Sequence, residues 1–266
     1  MDYTTKFLKL ENVTLEYQLS GEENSEAILF VHGLGANLSQ FEFQQKYFSP
    51  KYKVLSINLR GHGNSIILDE PARSDFELSK MADDIIGLLD SLRISNVHYV
   101  GNSMGGNVGY EILKSKPEKL KSFATYGTTG QLSTSKFLLK VMSLMYNITS
   151  TTTIGNLSKA AGQTKESKHK IKKIMSEVNK STLLNIAPKL ANFDYLDIIE
   201  SSGTPSLIIK GEMDRSINKT LKNTIVAFEK RGDFKLFEMK ETGHFANLDN
   251  PELFNDVLEE YILNNK

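Results

Sequence analysis

Residues 97–106 read Val97-His98-Tyr99-Val100-Gly101-Asn102-Ser103-Met104-Gly105-Gly106, a run suited to a strand that empties into a glycine-rich turn. Asn107-Val108-Gly109-Tyr110-Glu111-Ile112-Leu113 follows with helical spacing. The pattern predicts strand, tight turn and helix, with Ser103 at the apex of a G-x-S-x-G. A side chain aimed off the end of a strand sits on strained backbone. The flanking glycines leave space where a Cβ would strike the neighbouring strand or helix. Glycine and serine collect in turns generally, so it is the strand before and the helix after that make Ser103 a candidate nucleophile.

Outward from this stretch, apolar runs and helical patterns alternate. Lys6–Leu10 and Val13–Leu19 read as a hairpin through Glu11-Asn12. Ala27–Val31 is wholly apolar, as in a strand buried on both faces of a parallel sheet, and His32-Gly33-Leu34-Gly35 ends it. Ser39–Phe48 is helical up to Pro50, Tyr52–Leu59 is a strand, and Phe76–Leu92 is an amphipathic helix. After the serine's helix, Lys121–Tyr126 is a further strand. Between residues 130 and 203 only helical patterns appear. The alternation then resumes with Ser206–Gly211, a helix over Lys219–Lys230, the strand Phe234–Met239 and a helix over Pro251–Leu263. The expected fold is α/β: a mostly parallel sheet flanked by helices, with an all-helical insertion over its C-terminal edge. Residues 1–129 and 204–266 form the core, and residues 130–203 the insertion.

Composition narrows the function. At 266 residues and 39% hydrophobic the chain can bury a sizeable core, and zero formal net charge gives no global attraction to nucleic acid. Without cysteine there is no disulfide, thiolate nucleophile or cysteine-ligated metal. The start of the sequence lacks the apolar core of a signal peptide, and no stretch is apolar over a membrane-spanning length, so the expected location is cytoplasmic.

A serine hydroxyl needs a base. His244, in Thr242-Gly243-His244-Phe245, follows the last strand, and in a parallel sheet that places it at the same edge as Ser103. His98 reads as a buried strand residue and His169 as a solvated one in a lysine-rich helix. His32 and His62 read as braces of their loops. A base histidine needs an acid to fix its tautomer. Asp214 follows the strand ending at Gly211, with Glu212 as a nearby competitor, and Gly127–Gly130 offers no carboxylate. For a tetrahedral oxyanion the donors expected are the backbone N–H groups of Met104 and Leu34.

Taken together, His32–Gly35, Arg60-Gly61-His62-Gly63-Asn64-Ser65, Gly101–Gly106, Gly211-Glu212-Met213-Asp214 and Gly243-His244-Phe245 resemble the α/β-hydrolase-fold serine hydrolases from end to end. The resemblance implies Ser103 as nucleophile, His244 as base, Asp214 as its orienter, and a lid over residues 130–203. It implies neither metal nor organic cofactor. Serine at the elbow, where epoxide hydrolases and haloalkane dehalogenases carry aspartate, argues against those branches.

The Gly101–Gly106 elbow is similar to that of hydrolases cleaving carbon–carbon bonds in ring-cleavage products. That branch carries a lid arginine and a tryptophan after the histidine. Here no arginine lies between Arg93 and Arg215, there is no tryptophan, and Phe245 follows the histidine. A small-molecule carboxylic ester is therefore the expected substrate, with carbon–carbon cleavage, lactone, thioester or peracid chemistry as alternatives. Some proteins resembling this fold keep the triad yet act as ligand sensors. The segment 137–145 reads as an apolar helix fit to line an acyl pocket or fill the lid's interior. Lys165–Lys180 places Ile171, Ile174, Met175 and Val178 on one stripe. Ten lysines against five carboxylates between residues 130 and 203 give a basic face, solvated or set against an anionic membrane surface. The sequence leaves the oligomeric state open.

Overall fold

The structure is a computed structural model and describes residues 4–135, 140 and 144–265. Eight strands lie along its main sheet: β1 (Thr5–Lys9), β2 (Val13–Ser20), β3 (Ala27–Val31), β4 (Lys53–Ile57), β6 (Val97–Asn102), β7 (Leu120–Tyr126), β10 (Ser206–Gly211) and β11 (Phe234–Met239). Their spatial order is β1-β2-β4-β3-β6-β7-β10-β11, and the two-residue strand β5 (Ile66–Ile67) pairs off this path with β2. From β4 to β11 all neighbours run parallel, while β1 and β2 form the antiparallel margin.

The alternation of side chains along each strand builds two cores. In β3, Leu29 and Val31 face helices α2 (Leu78–Ser91) and α3 (Met104–Ser115), where Met81, Ile85, Leu88, Val108 and Ile112 are buried. Ile28 and Phe30 face the other way, onto Phe48 of α1 (Glu42–Phe48) and the C-terminal helix Pro251–Leu263 through Phe254, Leu258 and Ile262. Every residue of β3 is buried, as a strand covered on both faces requires.

The inserted segment departs from expectation in one respect. It holds helices α4 (Thr151–Ser158), α5 (Lys165–Ser176), α6 (Lys180–Ile186) and α7 (Leu196–Ser201), but it is not all-helical. Gln131–Ser133 (β8) and Asn192–Asp194 (β9) pair antiparallel at its base. The ribbon forms because the two ends of the insertion must meet at the sheet edge. Tyr195 N–H donates to the Gly130 carbonyl (2.8 Å) and Gln131 Nε2 to Asp194 Oδ2 (2.8 Å), stapling them. Beyond the ribbon, the Tyr195 ring packs tilted against Tyr110 with ring centroids 5.3 Å apart, and Ile199 is buried in the main core. Of the apolar stretch 137–145, Phe137–Leu139, Val141 and Met142 lie outside the described residues; Leu144 and Met145 are exposed. Among the described residues no helix is long and apolar enough to cross a membrane.

Candidate active site

Ser103 caps the end of β6 and the start of α3 with φ 52° and ψ −120°, a conformation that costs a non-glycine residue of order 1–3 kcal/mol. The surroundings hold it there. Its N–H donates to the Tyr126 carbonyl (3.0 Å), and its own carbonyl accepts from Gly106 N–H (2.9 Å) and the Thr128 hydroxyl (3.0 Å). The glycines are steric necessities. A Cβ on Gly101 would stand 2.6 Å from the Gly105 carbonyl carbon in the following helix, and one on Gly105 would run into the Val31 carbonyl of β3. Ser103 is partly exposed while its neighbours on both sides are buried.

His244 lies on the loop after β11, and its Nδ1 is 2.7 Å from Asp214 Oδ2. Asp214 sits in the turn after β10; its other oxygen accepts from the Ser216 hydroxyl (2.9 Å) and the Ile217 N–H (3.4 Å). Burial pushes the Asp214 carboxyl upward. The hydrogen bond and charge of His244, helped by Ser216 and Ile217, outweigh burial and hold it below the usual carboxylate value. Ionised Asp214 accepts the Nδ1 proton, and in that tautomer Nε2 of His244 is the lone-pair acceptor. The competitor Glu212 is elsewhere: it pairs with Lys240 (3.1 Å) and accepts from Glu241 N–H (3.0 Å) on the surface.

The two loops meet. A Cβ on Gly127 would stand 3.0 Å from both the His244 ring and Asn102, the residue before the serine, and a Cβ on Gly33 would stand 3.0 Å from Ser103 Cβ. Thus the turn after β3, which carries Leu34, lies against Ser103, and Met104 follows that serine at the first turn of α3. Among the described residues no hydrogen bond joins the Ser103 hydroxyl to the His244 ring.

The remaining histidines are structural in geometry. His32 Nδ1–H donates to the Gly33 carbonyl (2.8 Å) and Nε2 accepts from Leu59 N–H (3.1 Å). His62 Nδ1–H donates to Arg60 (3.2 Å) and Nε2 accepts from Gly35 N–H (3.2 Å), so both rings brace the Leu34 turn. Burial lowers both pKa values, that of His62 to about 4, keeping the rings neutral. His98 is buried with Nδ1 2.8 Å from Ser122 Oγ, and His169 is exposed.

Sequence reasoning missed a buried amide network behind the site. Gln40 Nε2 donates to Asn102 Oδ1 (3.1 Å) and to the Tyr126 hydroxyl (3.0 Å). Asn102 Nδ2 donates to the His244 carbonyl (3.1 Å), and Asn247 Nδ2 to the Gln40 carbonyl (3.1 Å). The available signal is weak: Gln40 and Gln44 sit one helical turn apart beside Phe41 and Phe48, on a face whose aromatic residues mark it as buried. A cleft of about 1040 Å³ between α5 and the core, lined by Glu16, Glu42, Lys170 and Lys173 among others, contains none of Ser103, Asp214 or His244.

A family model described as the alpha/beta hydrolase fold matches residues 26–251. The chain is 26% identical to 3-oxoadipate enol-lactonase 2 of Acinetobacter baylyi, covering 95% of this chain and 94% of that protein. It is 23% identical to the 2-hydroxy-6-oxononadienedioate/2-hydroxy-6-oxononatrienedioate hydrolase of Paraburkholderia xenovorans, over 97% and 95% of the two chains. A thermophilic esterase from Thermogutta terrifontis superposes with TM-score 0.84 at 17% identity, over 98% of this chain and 99% of that one.

Proposed function

This chain belongs to the alpha/beta hydrolase fold family, and from that premise we propose that it is a serine hydrolase cleaving small carboxylic esters through an acyl-Ser103 intermediate. The observation that carries the proposal is the 2.7 Å Asp214–His244 pair, presented at the sheet edge that also bears the strained Ser103. His244 Nε2 takes the hydroxyl proton as Ser103 Oγ attacks the ester carbonyl. The N–H groups of Leu34 and Met104 stabilise the oxyanion, each worth about 3 kcal/mol in such sites. His244 then returns the proton to the departing alkoxide. In the second half it deprotonates water, which attacks the acyl carbon and frees Ser103. Neither half draws on a metal or an organic cofactor.

In this reading residues 130–203 are a lid, and what it offers next to Leu34 is apolar. Ile154, Val178 and Leu183 are buried in one cluster with Leu34 and Met175 packed against it. Because that cluster is apolar, the favoured acyl group is neutral. A lactone is the same functional group closed into a ring, and likeness to the enol-lactonase puts lactones beside open esters. The Gly101–Gly106 elbow and likeness to the dienedioate hydrolase favour carbon–carbon cleavage as the second reading.

The test is a series of neutral p-nitrophenyl esters of increasing acyl length, run with a small lactone and a vinylogous 1,5-diketone acid. Turnover of the short esters that disappears in Ser103→Ala supports the proposal. Turnover of the diketone acid alone favours the second reading, and ester turnover retained by Ser103→Ala removes the first.

A further inference from the structure

Asp249 is buried five residues beyond His244, and the mechanism above gives it no task. Its two oxygens face in different directions. Oδ2 accepts from the N–H of Gly243 (2.8 Å), the residue before the base. Oδ1 accepts from the N–H of Gln163 (2.7 Å) and from the Ser167 hydroxyl (2.5 Å), which flank the start of α5 in the inserted segment. The contact between these two parts is close. A Cβ on Gly243 would stand 2.6 Å from the Ala161 carbonyl oxygen and 2.7 Å from Gln163 Nε2. One turn further along α5, Ile171 is buried with Phe245 and Leu248 from the other side of the base.

We propose that Asp249 is a positioning residue that fixes the Gly243–His244 turn and the Gln163–Ser167 corner in one relation, so that the imidazole is aimed only while the inserted segment is docked. The inference rests on His244 being the base. A carboxylate suits the task because both oxygens accept and neither donates, and all three partners are donors. Asparagine has the same shape but must turn its NH₂ toward one side of the seam. Displacing a base by a fraction of an ångström is costly, since reacting groups must lie near 3 Å with aligned orbitals.

The experiment compares wild type, Asp249→Asn, Ser167→Ala and the double variant. Measured are the rate of Ser103 labelling by a small fluorophosphonate, kcat and KM on a neutral ester, and amide exchange over residues 159–168 and 241–245. Asp249→Asn is expected to slow labelling and kcat about tenfold with a smaller change in KM, and to speed exchange in both segments. Ser167→Ala, which leaves the acceptor of Gly243 in place, is expected to slow labelling about threefold and to speed exchange in both segments. The double variant should match Asp249→Asn, because the serine acts through the carboxylate.

Exchange that rises only over 159–168 with labelling unchanged overturns the proposal, as do additive effects in the double variant. If Asp249→Asn does not fold, Ser167→Ala decides by the same criteria. If the wild type neither labels nor turns over ester, the hydrolase reading has failed, and exchange in Ser167→Ala still decides whether the seam couples the two segments.

Discussion

The side-chain amide of Asn102 donates to the main-chain carbonyl of His244 at 3.1 Å, so the residue before the elbow serine grips the loop that carries the imidazole. The same Nδ2 donates to the Tyr126 carbonyl (3.2 Å), which also receives the Ser103 N–H. One buried side chain therefore holds the backbone of two segments, at Tyr126 and at His244, that lie far apart in the sequence.

Asn102→Ala should accordingly impair catalysis more than binding. It leaves Gln40 Nε2 and the His244 carbonyl short of a partner, which costs about 1–3 kcal/mol of stability. The kcat for a neutral ester should fall about tenfold or more with KM nearly unchanged, as steady-state kinetics at a temperature well below the variant's Tm will check.

Gly105→Ala tests the sterics of the elbow. Its methyl would enter the space of the Val31 carbonyl, and because both partners are backbone the strain cannot be shed by a rotamer change. Loss of about 1–3 kcal/mol in denaturant unfolding and loss of activity are expected. A variant as stable and active as wild type would mean that α3 and β3 are further apart than described.

Stability should fall on mild acidification. His32 and His62 are buried, hydrogen-bonded and neutral, with ring centroids 4.9 Å apart. The folded His62 titrates near 4 against an ordinary value of 6.5, so between these values the unfolded chain binds a proton that the native one does not. Its contribution, on the order of 3 kcal/mol, is complete above pH 6.5 and is lost as pH falls toward 4. Asp214 adds to this at lower pH: its depressed folded value gives stability that is present above its ordinary 3.8 and lost as pH falls through the folded value. Urea midpoints at pH 7.5 and 4.5 should differ in wild type and differ less in His62→Gln.

The placement of the candidate site was legible because Leu34, Ser103 and Asp214 each follow a run that reads as a buried strand, and His244 follows a strand pattern that forms the exposed outer edge of the sheet. Ile28–Val31, Val97–Val100, Ser206–Ile209 and Phe234–Met239 fix the edge at which Leu34, Ser103, Asp214 and His244 emerge. The ribbon of Gln131–Ser133 and Asn192–Asp194 was not legible. Its strands are three residues long and some sixty residues apart, and they pair only because the core brings the insertion's ends together. Gln40, Asn247 and Asp249 were hidden for a different reason. Polar residues in helical or loop patterns read as solvent-facing until tertiary packing buries them with one another.

The apolar cluster against Leu34 predicts discrimination by charge. A neutral butyryl ester should be hydrolysed with kcat/KM at least about tenfold above that of its ω-carboxylate analogue, since a carboxylate against Val178 and Leu183 would lose hydration that these side chains cannot replace. Competition between the two esters in one reaction checks it directly.

Ser103 is proposed to carry the acyl group, with His244 activating it. Intact-mass and peptide analysis after brief exposure to a fluorophosphonate tests this most directly. One adduct per chain is expected, located on Ser103, with labelling slowed at least about a thousandfold in His244→Ala. An adduct on another residue, or labelling at the wild-type rate without His244, would contradict it.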